Sequence, residues 1–379
     1  MSRNRLLSLN TEPDWMQKLK AMNWGLVLLI IAVGSVGFTA LYSAGGGHLD
    51  PYASKHAIRF AVGFTGMIVT AMISIRYWRA LAWPLYGLSV LMLIYVDLRG
   101  HIGMGAQRWI NLGFINLQPS ELMKITLVLA LAAYYERCDA ANVSRLRNLI
   151  PAIVIIAFPV ALVVTQPDLG TGMQLSMLGT SILFLAGVSW WWFIGGLTTV
   201  LASIPLAWTM MYEYQRNRVR IFLNPESDPL GTGYHMSQAK IAMGSGGLTG
   251  KGYLQGTQSR LNFLPEKETD FVFTLWTEEW GLFGGVFLLG LFMLIFVYGL
   301  LISVKCRYPF QRLVIMGLTM NMALYVFINS AMVMGLLPVV GVPMPLVSHG
   351  GTAMLASLFA FGLLLSASIH RDTKFNRYM

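Results

Sequence analysis

Residues 281–303 run Gly281-Leu282-Phe283-Gly284-Gly285-Val286-Phe287-Leu288-Leu289-Gly290-Leu291-Phe292-Met293-Leu294-Ile295-Phe296-Val297-Tyr298-Gly299-Leu300-Leu301-Ile302-Ser303, with no charged side chain among them. As an α-helix at about 1.5 Å per residue the stretch is about 34 Å long, enough to cross a hydrocarbon core of about 30 Å. Continued back through Glu278 and Glu279, the same helix reaches Asp270 and lifts that carboxylate into the outer membrane interface. The rest of the chain agrees with a membrane solvent. Of 379 residues 55% are hydrophobic and 12% charged, against roughly 25% charged in soluble domains.

Apolar windows bounded by charges or turn residues predict an all-α, polytopic membrane protein of about ten transmembrane helices. Seven precede a long connection: Asn23 to Tyr42, His56 to Ile75, Ala80 to Val96, Pro119 to Tyr135, Leu149 to Thr165, Leu169 to Ala186 and Ser189 to Met211. Three follow it, at Phe271 to Val304, Leu313 to Leu337 and His349 to Ile369. The first window is too long for a cleaved signal peptide, and the Tyr42-Ser43-Ala44-Gly45 exit is a weak processing site.

Basic residues set the orientation. Arg3, Arg5, Lys18 and Lys20 precede the first span; Arg76 and Arg79, then Arg137, Arg145 and Arg147, then Lys305, Arg307 and Arg312 occupy alternate loops, and Arg371, Lys374 and Arg377 close the chain. The positive-inside rule therefore puts both termini, residues 1–22 and 370–379, in the cytoplasm, flanking a membrane domain over 23–369. Cys138 and Cys306 fall in cytoplasmic loops, where thiols stay reduced. The net charge of +10 is mostly topology signal, and no nucleic-acid partner is implied.

The connection over residues 212–270, between the seventh and eighth spans, is too long for a simple turn and too rich in Tyr214, Ile221, Phe222, Tyr234, Leu254 and Phe263 for disorder. It predicts an ordered extracytoplasmic cap. Its cations, among them Arg216, Arg218, Lys240 and Lys251, are either solvated charge or a clasp for a lipid-anchored diphosphate, which guanidinium groups hold bidentately. The glycine-rich run Gly244 to Gly256 is not a P-loop, since Ser245 stands five before Gly250 and Gly252 follows Lys251. It serves tight turning, with backbone contacts to phosphate as a second possibility.

Ionisable residues at membrane depth are functional candidates. Glu121 and Lys124 share one helical face just after Pro119, as a helix-start ion pair or as the wall of a substrate cavity. Asp168, in Gln166-Pro167-Asp168-Leu169-Gly170, repeats the device. Asp270 is either a helix cap or, with its pKa raised by partial dehydration, a general base. No His-Glu-x-x-His, Cys-x-x-Cys or Gly-x-Ser-x-Gly pattern occurs, which sets aside metalloprotease and serine-hydrolase readings.

Several of these segments together resemble the SEDS family (shape, elongation, division and sporulation proteins). They are Gly105-Ala106-Gln107-Arg108-Trp109, Gln118-Pro119-Ser120-Glu121, Gln166 to Thr171, Tyr214-Gln215-Arg216 with Arg218, Asp228 to Tyr234, Gly244 to Leu248, Leu264-Pro265-Glu266 leading to Thr269-Asp270-Phe271, and Pro345 to Gly351. The first of them, with Lys240, Lys251 and Gly256-Thr257-Gln258-Ser259, is closer to the elongation branch than to the division branch. His349 departs from the family's usual tyrosine.

The resemblance implies a peptidoglycan glycosyltransferase of the bacterial inner membrane that polymerises lipid II on the outer face and releases undecaprenyl diphosphate. It makes Asp270 the catalytic carboxylate. Arg216, Arg218, Lys240 and Lys251 become candidates for the leaving diphosphate, with Arg108, Glu121, Lys124 and Asp168 lining a cavity below. A divalent cation, Mg2+ or Mn2+, could share the neutralisation. The implied partners are a class B penicillin-binding protein and other elongation-complex membrane proteins. A lipid II flippase and a non-catalytic scaffold are the alternatives.

Overall fold

The computed structural model describes residues 14–103, 106–111, 113, 116–211, 213–225, 228, 231–261, 263 and 266–371. Arg3, Arg5, Lys374, Arg377 and most of the expected tails lie outside the described residues, as do Gly105, Pro229, Leu230, Leu264 and Pro265.

A short helix, α1 (Trp15–Ala21), is capped by Asp14, whose carboxylate accepts the Trp15 N–H at 2.8 Å. Four long helices and a small sheet follow: α2 (Trp24–Ala44), α3 (Ala53–Met72), α4 (Ile75–Arg99), strands β1 (His101–Gly103), β2 (Ala106–Asn111) and β3 (Asn116–Leu117), and α5 (Pro119–Glu136). Next come α6 (Leu146–Thr165), α7 (Leu169–Leu185) and α8 (Trp190–Met210). The expected cap contains α9 (Glu213–Leu223), α10 (Thr232–Gly246) and α11 (Thr257–Arg260). The chain closes with α12 (Val272–Lys305), α13 (Pro309–Val333) and α14 (Gly351–Ile369).

Among the described residues six helices, α2, α4, α6, α12, α13 and α14, are long and apolar enough to cross a membrane, and α7 and the Trp190–Leu206 part of α8 are shorter apolar helices. The chain is a multi-pass membrane protein. Its centre is polar by membrane standards: α5 is buried along nearly its whole length, including Glu121, Lys124 and Thr126, and packs against α4 and α13. Outer helices turn apolar side chains outward, as with Leu197, Val200, Leu201 and Ile204 on α8, where lipid is the solvent.

Two expectations need correcting. The protein is not purely α: β2 pairs antiparallel with β1 (His101 opposite Trp109) and with β3 (Ile110 opposite Leu117). The β-formers Trp109 and Ile110 between turn glycines are the signal for strands there. The helix from Asp270 to Ser303 is also not continuous, because Gly281 adopts φ 65° and ψ −161°.

That break explains the glycine-rich run. Interrupting a helix orphans carbonyls before the break and N–H groups after it. Here the Glu278 and Glu279 carbonyls accept from Lys251 N (3.1 Å) and Gly252 N (3.0 Å), while Leu282 N and Phe283 N donate to the Gly247 and Leu248 carbonyls (2.9 and 3.1 Å). The loop is thus spliced into the helix. A Cβ on Gly250 would lie 2.0 Å from the Glu279 carbonyl oxygen, so no larger residue fits. The Lys251 and Gly252 N–H groups are occupied by this splice.

Candidate active site at the meeting of helix ends

Asp270 lies in the turn preceding α12 and is half-buried. Asn329 of α13 fixes its backbone by donating from Nδ2 to the Asp270 carbonyl (2.9 Å) and to that of Val342 (2.8 Å). The irregular segment between α13 and α14 is thereby drawn alongside: a Cβ on Gly341, whose φ is +72°, would stand 3.4 Å from Asp270 Oδ2. Burial, then the charge of Glu266, raises the Asp270 pKa from 3.8 to about 6. Arg218 and Arg108 pull it the other way without prevailing, as desolvation outweighs partly screened attraction.

The two arginines arrive from different elements. Arg218 on α9 donates from Nη1 to the Val339 carbonyl at 3.2 Å. Arg108 on β2 donates from Nη2 to the Pro167 carbonyl at 2.6 Å, with Nε 3.5 Å from Asp168 Oδ2. Asp168 caps α7 through Thr171 N (3.2 Å) and Thr171 Oγ1 (2.9 Å). A Cβ on the neighbouring Gly170 would lie 2.4 Å from the Val340 carbonyl oxygen, so this helix start abuts the segment that faces Asp270. Lys240 on α10 reaches the same segment further along, where a Cβ on Gly335 would stand 2.5 Å from its Nζ.

A second polar cluster lies in the bundle. Lys124 donates to Glu121 at 2.7 Å, to Gln174 Oε1 at 3.2 Å and to the Tyr325 hydroxyl, which in turn donates to Glu121. Tyr325 stands one turn before Asn329, so one face of α13 serves both clusters. Neither residue is among the candidates from sequence. Their signal was present in polar groups four apart within an apolar span.

Arg216 and Lys251 are engaged elsewhere. Arg216 donates to the Trp208 and Thr209 carbonyls (3.0 and 2.8 Å), closing the C-terminal end of α8. Lys251 pairs with Glu278 at 2.8 Å and donates to Thr257 Oγ1 at 2.6 Å. Glu278 is fully buried and also accepts from Gln258 N (2.9 Å) and from Ser259 N and Oγ (3.3 and 3.2 Å), as a buried carboxylate must.

His349 joins the site through its backbone, donating to the Glu268 carbonyl at 2.7 Å. Its Nε2 lies 3.2 Å from Arg59 Nη1 and accepts from it. Burial, then Arg59, lowers its pKa to about 4, so the ring is neutral and able to accept. Among the described residues no three His, Cys, Asp or Glu side chains converge as a metal site. A divalent ion at this place would draw its ligands from a phosphorylated substrate rather than from a protein cage.

A family model for FtsW, RodA and SpoVE, described as cell cycle proteins, matches residues 15–373. The chain is 43% identical over 347 residues to the peptidoglycan glycosyltransferase MrdB of Escherichia coli (strain K12), covering 91% of this chain and 93% of that one. It is 34% identical over 354 residues to the probable peptidoglycan glycosyltransferase FtsW of Trichlorobacter lovleyi, covering 90% and 92%. Among solved structures it superposes on a chain of a peptidoglycan synthase complex that coordinates polymerization and crosslinking, with TM-score 0.81 and 31% identity over 92% of this chain and 98% of that one. The rod shape determining protein RodA of Thermus thermophilus gives TM-score 0.71 and 28% identity over 95% and 99%. This chain therefore belongs to the FtsW/RodA/SpoVE family of cell cycle proteins.

Proposed function

We propose that this protein is a peptidoglycan glycosyltransferase that polymerises lipid II into glycan strands during cell elongation and releases undecaprenyl diphosphate. The observation that carries the reading is the Asp270 carboxyl, half-buried beside Arg218 and Arg108 with a pKa of about 6. At neutral pH it is ionised yet basic enough to accept a proton, the condition for a general base.

Asp270 takes the proton of the acceptor sugar hydroxyl. That oxygen attacks the anomeric carbon of the donor, and the bond from this carbon to the diphosphate oxygen breaks. Negative charge grows on the leaving diphosphate, where Arg218, Arg108 and Lys240 neutralise it. Asp168 orients Arg108, while Glu121 and Lys124 form the polar floor. Arg216 and Lys251 act on the same substrate only by leaving their present partners, so their main contribution is to hold the walls of the site.

The topology that suits this chemistry has ten spans, adding α3 and α5 to the eight apolar helices. Both termini lie in the cytoplasm, and the 212–270 region with Asp270 lies outside the inner membrane. The 43% identity to MrdB favours the elongation branch. The similarity to a synthase complex that couples polymerization to crosslinking supports a class B penicillin-binding protein as partner.

The test is glycan formation from purified lipid II, with and without the transpeptidase, comparing wild type with Asp270→Ala and Asp270→Asn. Polymer from wild type and none from folded variants is expected. Equal rates would overturn the base assignment. Lipid II moved across vesicles without polymer would establish a transporter instead.

A further inference from the structure

Arg59, in the second turn of α3, is a cation that the proposed reaction does not use. It is half-buried, and among the described residues it forms no ion pair and makes a single side-chain hydrogen bond, from Nη1 to His349 Nε2 at 3.2 Å. Its guanidinium stands over the start of α14, where a Cβ on Gly351 would lie 3.3 Å from Arg59 Cζ. A cation is disfavoured at the positive end of a helix, so what keeps Arg59 there is the acceptor it meets.

That acceptor must be a neutral imidazole. A guanidinium only donates, so the His349 nitrogen facing it carries no proton and the ring hydrogen sits on Nδ1. Nδ1 is buried without a partner, which leaves the Arg59 bond to orient the ring among the described residues. Tyr52, seven residues before Arg59 and so on the same face of α3, meets the ring edge-on, with centroids 5.4 Å apart and planes at 73°. Its hydroxyl faces the Glu268 carboxylate.

Both contacts bear on the turn that presents Asp270. His349 N donates to the Glu268 carbonyl at 2.7 Å, and the turn itself closes through Thr269 N and Phe271 N on the Glu266 carbonyl (3.1 and 3.3 Å). Glu266 is held at φ 54°, a left-handed conformation that a non-glycine residue keeps only where its surroundings impose it. On the amino side of His349, Ser348 is tied to Met344, but Gly350 and Gly351 follow, whose backbone freedom fixes little. The ring's grip on α3 completes the placement of the His349 N–H.

We propose, on the reading of Asp270 as the base, that His349 is its positioning residue: gripped by Arg59 and Tyr52, it holds the Glu268 carbonyl and with it the turn that aims the Asp270 carboxylate at the acceptor hydroxyl. Position 349 therefore requires an acceptor for Arg59. Histidine supplies one, and so does the tyrosine usual in the family, whereas phenylalanine supplies none.

The test compares the full chain in neutral detergent with His349→Phe, His349→Tyr, Arg59→Met and the double variant Arg59→Met with His349→Phe. Backbone amide exchange, followed by mass spectrometry, reads the turn without substrate. Exchange over residues 266–271 should quicken about tenfold in His349→Phe and in Arg59→Met, the lower end for a hydrogen bond with a charged donor, while His349→Tyr stays near wild type. With lipid II, kcat per folded molecule should fall about tenfold in both single variants with KM within about twofold. The double variant should lose no more than the worse single one, and His349→Tyr should recover the rate that His349→Phe loses. Unchanged exchange in both single variants overturns the proposal, as do losses that multiply in the double variant, a fall in folded yield with kcat intact, or a rise in KM confined to Arg59→Met, which would make Arg59 a substrate contact. Wild type that forms no polymer overturns the polymerase reading, and exchange still decides whether His349 holds the turn; polymer from wild type with unchanged exchange in the variants overturns only the positioning role.

Discussion

Replacing Asp270 by asparagine should make the protein inactive and more stable, and the stability gain should depend on pH. Raising the carboxyl from 3.8 to about 6 means that the folded protein disfavours the charged form by about 3 kcal/mol relative to the unfolded chain. The unfolded carboxyl ionises as pH rises through about 4, the folded one only through about 6. Stability therefore falls across that window and is level above it. Asparagine has nearly the same shape and no charge, so Asp270→Asn should gain up to about 3 kcal/mol at pH 7.5 and nothing below pH 4. That figure is an upper bound, because Arg218 and Arg108 lose a neighbour of opposite charge. The assay is thermal unfolding in detergent between pH 4 and 8, with polymerisation measured on the same preparations. Wild-type activity should fall about tenfold between pH 7 and pH 5, following the ionised fraction. A stability difference independent of pH, or wild-type activity level down to pH 5, would refute the dehydrated-base account.

The neighbours of Asp270 should move the acid limb in opposite directions: Glu266→Gln lowers its midpoint and Arg218→Gln raises it, as a pH–rate series would show. Lys124→Met leaves Glu121 buried without its cation, costing about 3–5 kcal/mol; the double change Glu121→Gln with Lys124→Met should cost less than the sum in thermal unfolding. Gly281→Ala and Gly250→Ala drive a Cβ to within 2.4 Å and 2.0 Å of backbone atoms in the splice, so folded yield in membranes should collapse, by more than the ~1 kcal/mol of an ordinary glycine replacement. Lys251→Ala removes the cation from Glu278 and should lower the unfolding temperature while leaving the KM for lipid II within about twofold; a selective rise in KM would return Lys251 to the diphosphate site.

Much of the fold was legible because a bilayer imposes a local rule. Every spanning backbone must satisfy its own hydrogen bonds, so a long apolar run such as 281–303 can only be helix, and helix starts such as Pro119 and Gln166-Pro167-Asp168 announce themselves through short-range capping. The pairing of Glu121 with Lys124 was legible for the same reason, since residues three apart must share a helix face. Asp270 stood out because a carboxylate beside a long apolar run is costly wherever the rest of the chain lies.

What the sequence by itself determined is therefore what depends on neighbours within a turn or two: a membrane protein, its helices, and the acid at the edge of one of them. The tertiary structure alone decided which cations act on Asp270, since Arg108 and Arg218 are 162 and 52 residues away along the chain. It also decided that Lys251 answers Glu278, and that the glycine-rich run completes a broken helix. Those pairings are set by close backbone approach between segments remote in sequence, such as Gly170 on Val340 and Gly250 on Glu279, and no local propensity encodes which distant partner a chain segment will find.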